Sequence, residues 1–455
     1  MPTFSLTSLG CAKNLVNSEQ MLYLLQEAGY TQVPSPCGAD FAVINTCGFI
    51  DAAKSEAIDC ILEHAQWKEA GQLGAIIVAG CLPQRYQKEI LEELPEIDAV
   101  LGVGSFSRIV EAADAVMKKQ EDSADAPLSL FDDSSAPVEE LPRIVTTGPG
   151  WAYLRIAEGC DNFCAFCSIP YIRGRYRSRP MEKILEEARG LAAAGVKELI
   201  VIAQDITRYG TDLYGRRSLA ALCRELSKIE GVRWIRLHYL YPDQFDEELI
   251  QEIASNDKIL KYLDIPIQHI NNEILRRMNR RGTGDEIRTL FSHLREAIPG
   301  VVLRTSLITG LPGEGEEEFL ELCDFLREAS LERVGVFPFS PEEGTPAAKL
   351  PHPEQEIAEQ RAEHILAMQI DIMQRFADSF VGKTIPVLIE RYDEAEGCWL
   401  GRSYADSPDI DSLVLVDGPC TAGDIMDVQI TGAEDGNLLG EVTASGIETE
   451  GHASC

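Results

Sequence analysis

Apolar and polar positions along this chain fall into three regimes. In the first, short apolar runs alternate with amphipathic stretches. FSLTSLG (4–10), FAVINT (41–46), AIIVAG (75–80) and AVLGVG (99–104) read as strands, because buried parallel strands are near-continuous apolar runs. Between them, 14–28 places Leu15, Met21, Leu22 and Leu25 on one side of a helix, and 51–70, 83–94 and a stretch ending near 118 are helical too. The alternation predicts an α/β domain, a doubly wound parallel sheet over residues 1–118. Residues 119–143 lose the period; KQEDSADAPLSLFDDSSAPVEELP, rich in Pro, Ser and Asp, reads as an acidic linker.

In the second regime, 144–379, the alternation resumes. AYLRIAE (152–158), ELIVIA (198–203), WIRLHYL (234–240), YLDIPI (262–267), VLRTSLI (302–308) and RVGVFPF (333–339) read as strands, with a long helix at 354–378. Such a series predicts a partial (β/α) barrel with its chemistry at the C-terminal ends of the strands. In the third regime, 380–446, short strands separated by Gly and Asp turns predict a small all-β barrel, and 447–455 reads as a disordered tail. No internal repeat is visible.

Composition narrows the class. The chain has 455 residues, 45% hydrophobic and 25% charged, which suits a soluble multidomain protein. No apolar stretch approaches a membrane span, and the N-terminus lacks the basic and apolar regions of a secretory signal, so a cytoplasmic protein is expected. The net charge is −33. Such a field repels nucleic acid and attracts cationic partners, although a highly soluble surface would have the same charge.

Thirteen cysteines in a chain expected in a reducing compartment point to metal ligands or reactive thiols. Cys160, Cys164 and Cys167, in EGCDNFCAFCSIP, have the spacing CxxxCxxC. A structural zinc site closes with four ligands, and no nearby Cys or His completes that set. A 4Fe–4S cluster also normally takes four cysteines. With three, one iron is left free to bind a small molecule. Cys11, Cys47 and Cys81 each end a predicted strand, in SLGC, INTC and VAGC. In an open α/β sheet the carboxyl ends of strands share one rim, so these three fall together although more than 30 residues separate them in sequence. Gly10, Gly48 and Gly80 would allow close backbone approach. Singly, each cysteine would pass for a small buried residue. Cys37, Cys60, Cys223, Cys323, Cys398, Cys420 and Cys455 show no ligand spacing and are expected to be structural.

The two trios, the segments SLGCAKNLVNSEQM, INTCGFI, AGCLPQRY and EGCDNFCAFCSIPYIRGRYRSRP, and the C-terminal barrel together resemble the radical S-adenosylmethionine (SAM) methylthiotransferases over nearly the whole chain. Within them, AQDITRYG, RLHYLYP, DIPIQH and FSPEEGTPAA resemble the RimO type. The resemblance implies two 4Fe–4S clusters, on Cys160, Cys164 and Cys167 and on Cys11, Cys47 and Cys81, and a TRAM-like barrel. It implies that one SAM methylates sulfur held on the N-terminal cluster. A second SAM yields a deoxyadenosyl radical at the other cluster. The methylthio group then passes to the β-carbon of an aspartate in ribosomal protein S-twelve. A low-potential flavodoxin or ferredoxin would be the electron donor. By the same resemblance Phe166, Asp205 and Gly310 (in GLPGE) are candidate SAM contacts. Ala12 and Asn17 depart from the family's common proline and aspartate, and the Gly-Gly-Glu stretch is absent, with Ala203-Gln204-Asp205 at that strand end.

Gln204, Asp205, His238, Gln268 and His269 fall at predicted strand ends, so they are candidates for the reactive face, Gln268 and His269 for positioning substrate or ribose. The MiaB type, which modifies tRNA, is the rival. Arg173, Arg175, Arg177 and Arg179, with Arg276, Arg277, Arg280 and Arg281, would suit phosphates, or equally SAM's carboxylate or an acidic substrate side chain. A further rival is an iron–sulfur electron carrier or RNA-binding adaptor. The C-terminal barrel has three basic side chains against thirteen acidic ones, which favours a basic protein over tRNA, with Asp406, Asp409 and Asp411 expected on the docking face.

Overall fold

The computed structural model describes residues 1–121 and 126–443; the expected tail, and Cys455 with it, lies outside the described residues. Strands β1 (Thr3–Ser8), β2 (Thr31–Gln32), β3 (Phe41–Thr46), β4 (Ile76–Gly80), β5 (Ala99–Leu101) and β6 (Leu128–Leu130) form a parallel sheet in the order β2-β1-β3-β4-β5-β6. Alternate residues serve opposite faces, as the pleat requires. Phe41 and Val43 join Met21, Leu22 and Leu25 on one side, while Ala42 and Ile44 join Ala57 and Ile61 on the other. The strand order reverses between β1 and β3, the topological switch point where open α/β sheets bind ligands.

Two expectations change here. The expected linker contributes β6, whose Leu130 is buried against the sheet. Three residues are too few to show a period in an acidic stretch. The helix expected at 83–94 is two, Cys81–Tyr86 and Lys88–Glu93, broken at Gln87 where φ is 45°.

The second unit contains β7 (Trp151–Arg155), β8 (Ala157–Glu158), β9 (Arg177–Ser178), β10 (Glu198–Ile202), β11 (Trp234–Leu237), β12 (Ile259–Asp264), β13 (Val302–Thr309) and β14 (Arg333–Pro338). Its parallel sheet runs β14-β13-β12-β11-β10-β7, leaving β7 and β14 as edges of an unclosed barrel. The single strand expected at 152–158 divides. β7 stays in the sheet, and β8 pairs antiparallel with β9 so that the two clasp the loop carrying Cys160, Cys164 and Cys167. The third unit is a closed barrel, β15 (Thr384–Asp393), β16 (Cys398–Arg402), β17 (Val414–Asp417), β18 (Ile425–Glu434) and β19 (Asn437–Val442), ordered β15-β16-β17-β19-β18.

Two interfaces lock the units together. Helix Ala12–Glu27 is buried on both sides: Met21, Leu22 and Leu25 face its own sheet, while Val16 packs with Trp151, Tyr153 and Ile200 of the second. Its polar residues bond across the gap, Glu19 to Arg143 and Thr146, and Gln20 to Arg155. The β-barrel docks through buried charge. Glu198 accepts from Arg236 and from Arg402 at 2.7 Å each. Asp406 pairs with Arg333 at 2.7 Å, and Asp411 accepts from the Tyr262 hydroxyl at 2.6 Å. Asp406 and Asp411 therefore join this chain to itself and are not available to a partner; of the three expected on a docking face, Asp409 is exposed. No helix among the described residues is long and apolar enough to cross a membrane.

Candidate active site

The N-terminal trio is assembled by close backbone approach. A Cβ on Gly10 would lie 2.7 Å from Cys47 Cβ, and one on Gly48 would lie 2.8 Å from Leu82 Cα, next to Cys81. Any larger residue would drive these loops apart. Asn14, absent from the sequence-level candidates, pins all three. Its Nδ2 donates to the carbonyls of Leu9 at 3.0 Å and Thr46 at 2.9 Å, just before the Cys11 and Cys47 loops. Its Oδ1 accepts from the Cys81 thiol at 3.8 Å and from Arg173 Nη2.

Arg173 comes from the second unit, in helix Ile169–Arg173, which packs on helix Cys81–Tyr86. It is 2% exposed and also donates to Glu158 at 2.9 Å. Glu158 lies two residues before Cys160, so a buried chain Asn14–Arg173–Glu158 connects the two trios. Burial alone would raise Glu158, but Arg173 and Arg155, with Gln204, hold it down at about 2. Desolvation would likewise raise the Cys11 thiol, whose side chain still reaches solvent; Lys13, Arg173 and the backbone N–H groups of Asn14 and Lys13 outweigh it and lower its pKa. Burial pushes Cys47 up to about 11 and raises Cys81 as well.

The second trio is more enclosed. Burial pushes the Cys160 thiol up to about 12 and Cys167 higher still. Cys164 stands against the Arg280 guanidinium at 3.6 Å and the Tyr241 hydroxyl at 3.8 Å. Buried Arg280 donates besides to the Pro266 carbonyl and has no carboxylate partner among the described residues. Phe163 in the cysteine loop, and Asn279, whose Nδ2 donates to the Phe163 carbonyl at 2.9 Å, both have positive φ, the kind of strain that collects where a site over-determines its backbone. The amide oxygens of Asn162 and Gln204 are buried without a hydrogen-bond partner.

Several expected contacts take other roles. Asp205 is fully buried, and its carboxylate accepts from Asn162 Nδ2, the Thr207 N–H and hydroxyl, and Arg208 Nε. It fixes the loop beside Cys160, and a direct SAM contact would compete with four donors already in place. Gly310 has its own packing reason: φ is +76° and a Cβ would meet Ala358 Cβ at 2.4 Å, while its N–H donates to Glu314. His269 is buried beside Glu314 at 3.4 Å, and its Nδ1 accepts from the Asn271 N–H at 3.0 Å. His238 is buried against Ser407 of the β-barrel at 3.1 Å; burial, then Arg236 and other cations, lower its pKa well below the usual histidine value. Gln268 bridges β13 at Leu307. Phe166 is half-buried on a cluster containing Ala165, Ile274 and Leu311. The arginines expected to meet phosphate are largely tied up internally, Arg173 to Glu158, Arg175 to Asp161, Arg179 to Glu140 and Glu187, and Arg276 and Arg277 to Glu273.

Among the described residues no group of three or more His, Cys, Asp or Glu is close enough to hold a single metal ion. A zinc ion would draw thiolates to about 2.3 Å, whereas a four-iron cluster spreads its cysteines over separate irons. The donor set fits the latter: three thiols per site, each trio faced by a buried cation, Arg173 or Arg280.

Each of the three units matches a known family. Residues 154–326 match the radical SAM superfamily, 3–102 match uncharacterized protein family UPF0004, and 381–443 match the TRAM domain. A ribosomal protein uS12 methylthiotransferase RimO from Acetivibrio thermocellus is 47% identical, over 96% of this chain and 97% of that protein. A protein of the same name from Desulforamulus reducens is 46% identical, over 97% of this chain and all of that one. This chain belongs to the RimO family. It is a radical SAM methylthiotransferase, and membership implies a 4Fe–4S cluster and SAM as its cofactors. In fold it is similar to the radical SAM methyltransferase TsrM from Kitasatospora setae, with a TM-score of 0.56 at 16% identity, covering 79% of this chain and 78% of that one.

Proposed function

We propose that this enzyme methylthiolates the β-carbon of an aspartate in ribosomal protein S-twelve, with 4Fe–4S clusters on both cysteine trios. The observation that carries the reading is the Asn14–Arg173–Glu158 chain, which ties a three-thiol site in each α/β unit to the other. Sulfur transfer to an unreactive carbon needs the sulfur donor and the radical source close together with water excluded. Bound at Cys160, Cys164 and Cys167, the radical SAM cluster would supply the electron that cleaves SAM and hence the radical that removes hydrogen from the substrate carbon.

The surrounding residues divide the remaining work. Arg280 balances thiolate charge at Cys164, and Arg173 and Lys13 do so at Cys11. The unsatisfied amide oxygens of Asn162 and Gln204 are available to SAM's ammonium. Phe166 lies in the loop between Cys164 and Cys167 and would flank SAM. The sulfur donor would sit on the N-terminal cluster.

The substrate assignment is supported by the relatives' names and by charge. Five of the eight arginines that would grip tRNA are paired internally, while Glu394, Glu396, Asp417 and Asp427 stay exposed on the β-barrel for a basic protein. The enzyme would act in the cytoplasm, with a flavodoxin or ferredoxin as reductant. Mass spectrometry of ribosomal protein S-twelve and of tRNA from a deletion strain tests the assignment: the aspartate should lose its methylthio mass while tRNA is unchanged. The opposite pattern would move the enzyme to the MiaB type.

A further inference from the structure

Helix Ala12–Glu27 carries a row of buried polar side chains into the gap between the two α/β units, and Asn14, Glu19 and Gln20 all find partners there. Lys13 is the exception. It is 7% exposed, yet its ammonium makes no hydrogen bond and no ion pair among the described residues. Its nearest recorded companion is the ring of Tyr239, with Nζ 3.4 Å from the centroid. Although the chain has 74 acidic residues, none among the described residues places a carboxylate against this cation. Its charge acts on the Cys11 thiol two residues away, but burying a cation without a carboxylate is costly, and a cation–π contact offsets only part of that cost.

The ring beneath it is held in place. Tyr239 has φ of 65°, a strained backbone for an aromatic residue. Its N–H donates to Asp264 at 3.4 Å, and its carbonyl accepts from the Ile206 N–H at 3.1 Å. Tyr239 follows β11 at the C-terminal end of the second sheet, and Lys13 lies two residues after Cys11. The ammonium thus stands in the gap between the N-terminal trio and the reactive end of the barrel.

From this geometry we infer that Lys13 is the receptor for the carboxylate of the acceptor aspartate. The inference rests on the proposed ribosomal-protein reading. The reacting carbon of an aspartate is bonded directly to its carboxyl carbon. An ion pair with Lys13 therefore fixes the β-carbon beside the N-terminal trio and over the C-terminal end of β11, and selects an acidic side chain over a neutral one. Lys13 acts as a specificity residue, and Tyr239 as the platform that orients it.

The test uses the anaerobically reconstituted full-length enzyme and two synthetic peptides of ribosomal protein S-twelve, one with the acceptor aspartate and one with asparagine in its place. Calorimetry should show the wild type binding the aspartate peptide about tenfold or more tightly. Lys13→Met should erase that preference by weakening only the aspartate peptide, and Lys13→Arg should restore most of it. Iron and sulfide contents report whether Lys13→Met still assembles its clusters. Equal affinity of the wild type for both peptides overturns the inference without any variant. So does a Lys13→Met enzyme that keeps the preference, or one whose only change is iron loss. Wild-type modification of the aspartate peptide, followed by mass spectrometry, separates the two levels. If the wild type does not modify it, the substrate reading fails; if it does while Lys13→Met keeps the preference, only the role of Lys13 fails.

Discussion

The two cysteine trios are built in opposite ways. Cys160, Cys164 and Cys167 lie within eight residues of one loop, clasped by β8 and β9, and burial pushes the Cys160 and Cys167 thiols far above neutrality. Cys11, Cys47 and Cys81 come from the ends of three strands and are held by Asn14 and by Arg173 from the neighbouring unit. There one thiol, Cys11, is shifted downward. A local loop can make a site with its own covalent spacing. A site gathered over 70 residues needs a partner from elsewhere in the fold to close it, and that partner also sets its charge.

The largest effect should come from separating the trios by mutation. Replacing Cys160, Cys164 and Cys167 with alanine should abolish SAM cleavage and remove about half of the roughly eight irons that two full clusters hold. Replacing Cys11, Cys47 and Cys81 should remove the other half, leave reductive formation of 5′-deoxyadenosine, and eliminate the methylthio product. Iron analysis and chromatography of the nucleoside decide it; methylthio transfer by the second variant would place the sulfur donor elsewhere.

Next in size is the link between the trios. Arg173→Met removes one member of a buried ion pair and should cost about 3–5 kcal/mol of stability, measured by denaturant unfolding of the metal-free protein. The Glu158 carboxylate, held at about 2 against an ordinary 4.5, stabilises the fold above pH 4.5 and loses that contribution as pH falls through about 2. Without Arg173 the loss should begin at higher pH, seen as an upward shift of the acid-unfolding midpoint. An unchanged midpoint would remove Arg173 from the connection.

A third measurement compares thiols directly. In metal-free protein at mildly alkaline pH, iodoacetamide should alkylate Cys11 at least about tenfold faster than Cys160 or Cys167, because the thiolate reacts and only Cys11 is shifted toward it. Peptide mass mapping over time would show the order; equal rates would dissolve the electrostatic contrast.

The smallest effect is a calibration on the β-barrel. Asp409 is exposed with φ of 62°, a conformation that asparagine also tolerates. Asp409→Asn should therefore change stability by no more than about 0.5 kcal/mol and leave SAM cleavage unchanged. A large loss in either would show that the β-barrel couples to the trios more tightly than its buried ion pairs suggest.

The amino-acid sequence by itself determined the three-part architecture, because the periods of apolar residues change where the units change. It also disclosed both cysteine trios, one by spacing and one by the rule that parallel strands end on a common rim. Short elements stayed hidden: β6 is three residues in an acidic stretch, and the break at Gln87 leaves no periodic trace. Only the tertiary structure decided which polar residues face each other. Asp205 and His269 stand at strand ends as expected, yet internal donors occupy the Asp205 carboxylate and His269 is buried, its Nδ1 accepting from the Asn271 N–H. Asp406 and Asp411, two acids among many in an acidic barrel, turn inward to Arg333 and Tyr262. Asn14 and Arg173 lie 159 positions apart and meet only after two domains pack. Periodicity reports which side of an element is buried. It carries no information about what lies across the interface, and the charges that shape this site are set there.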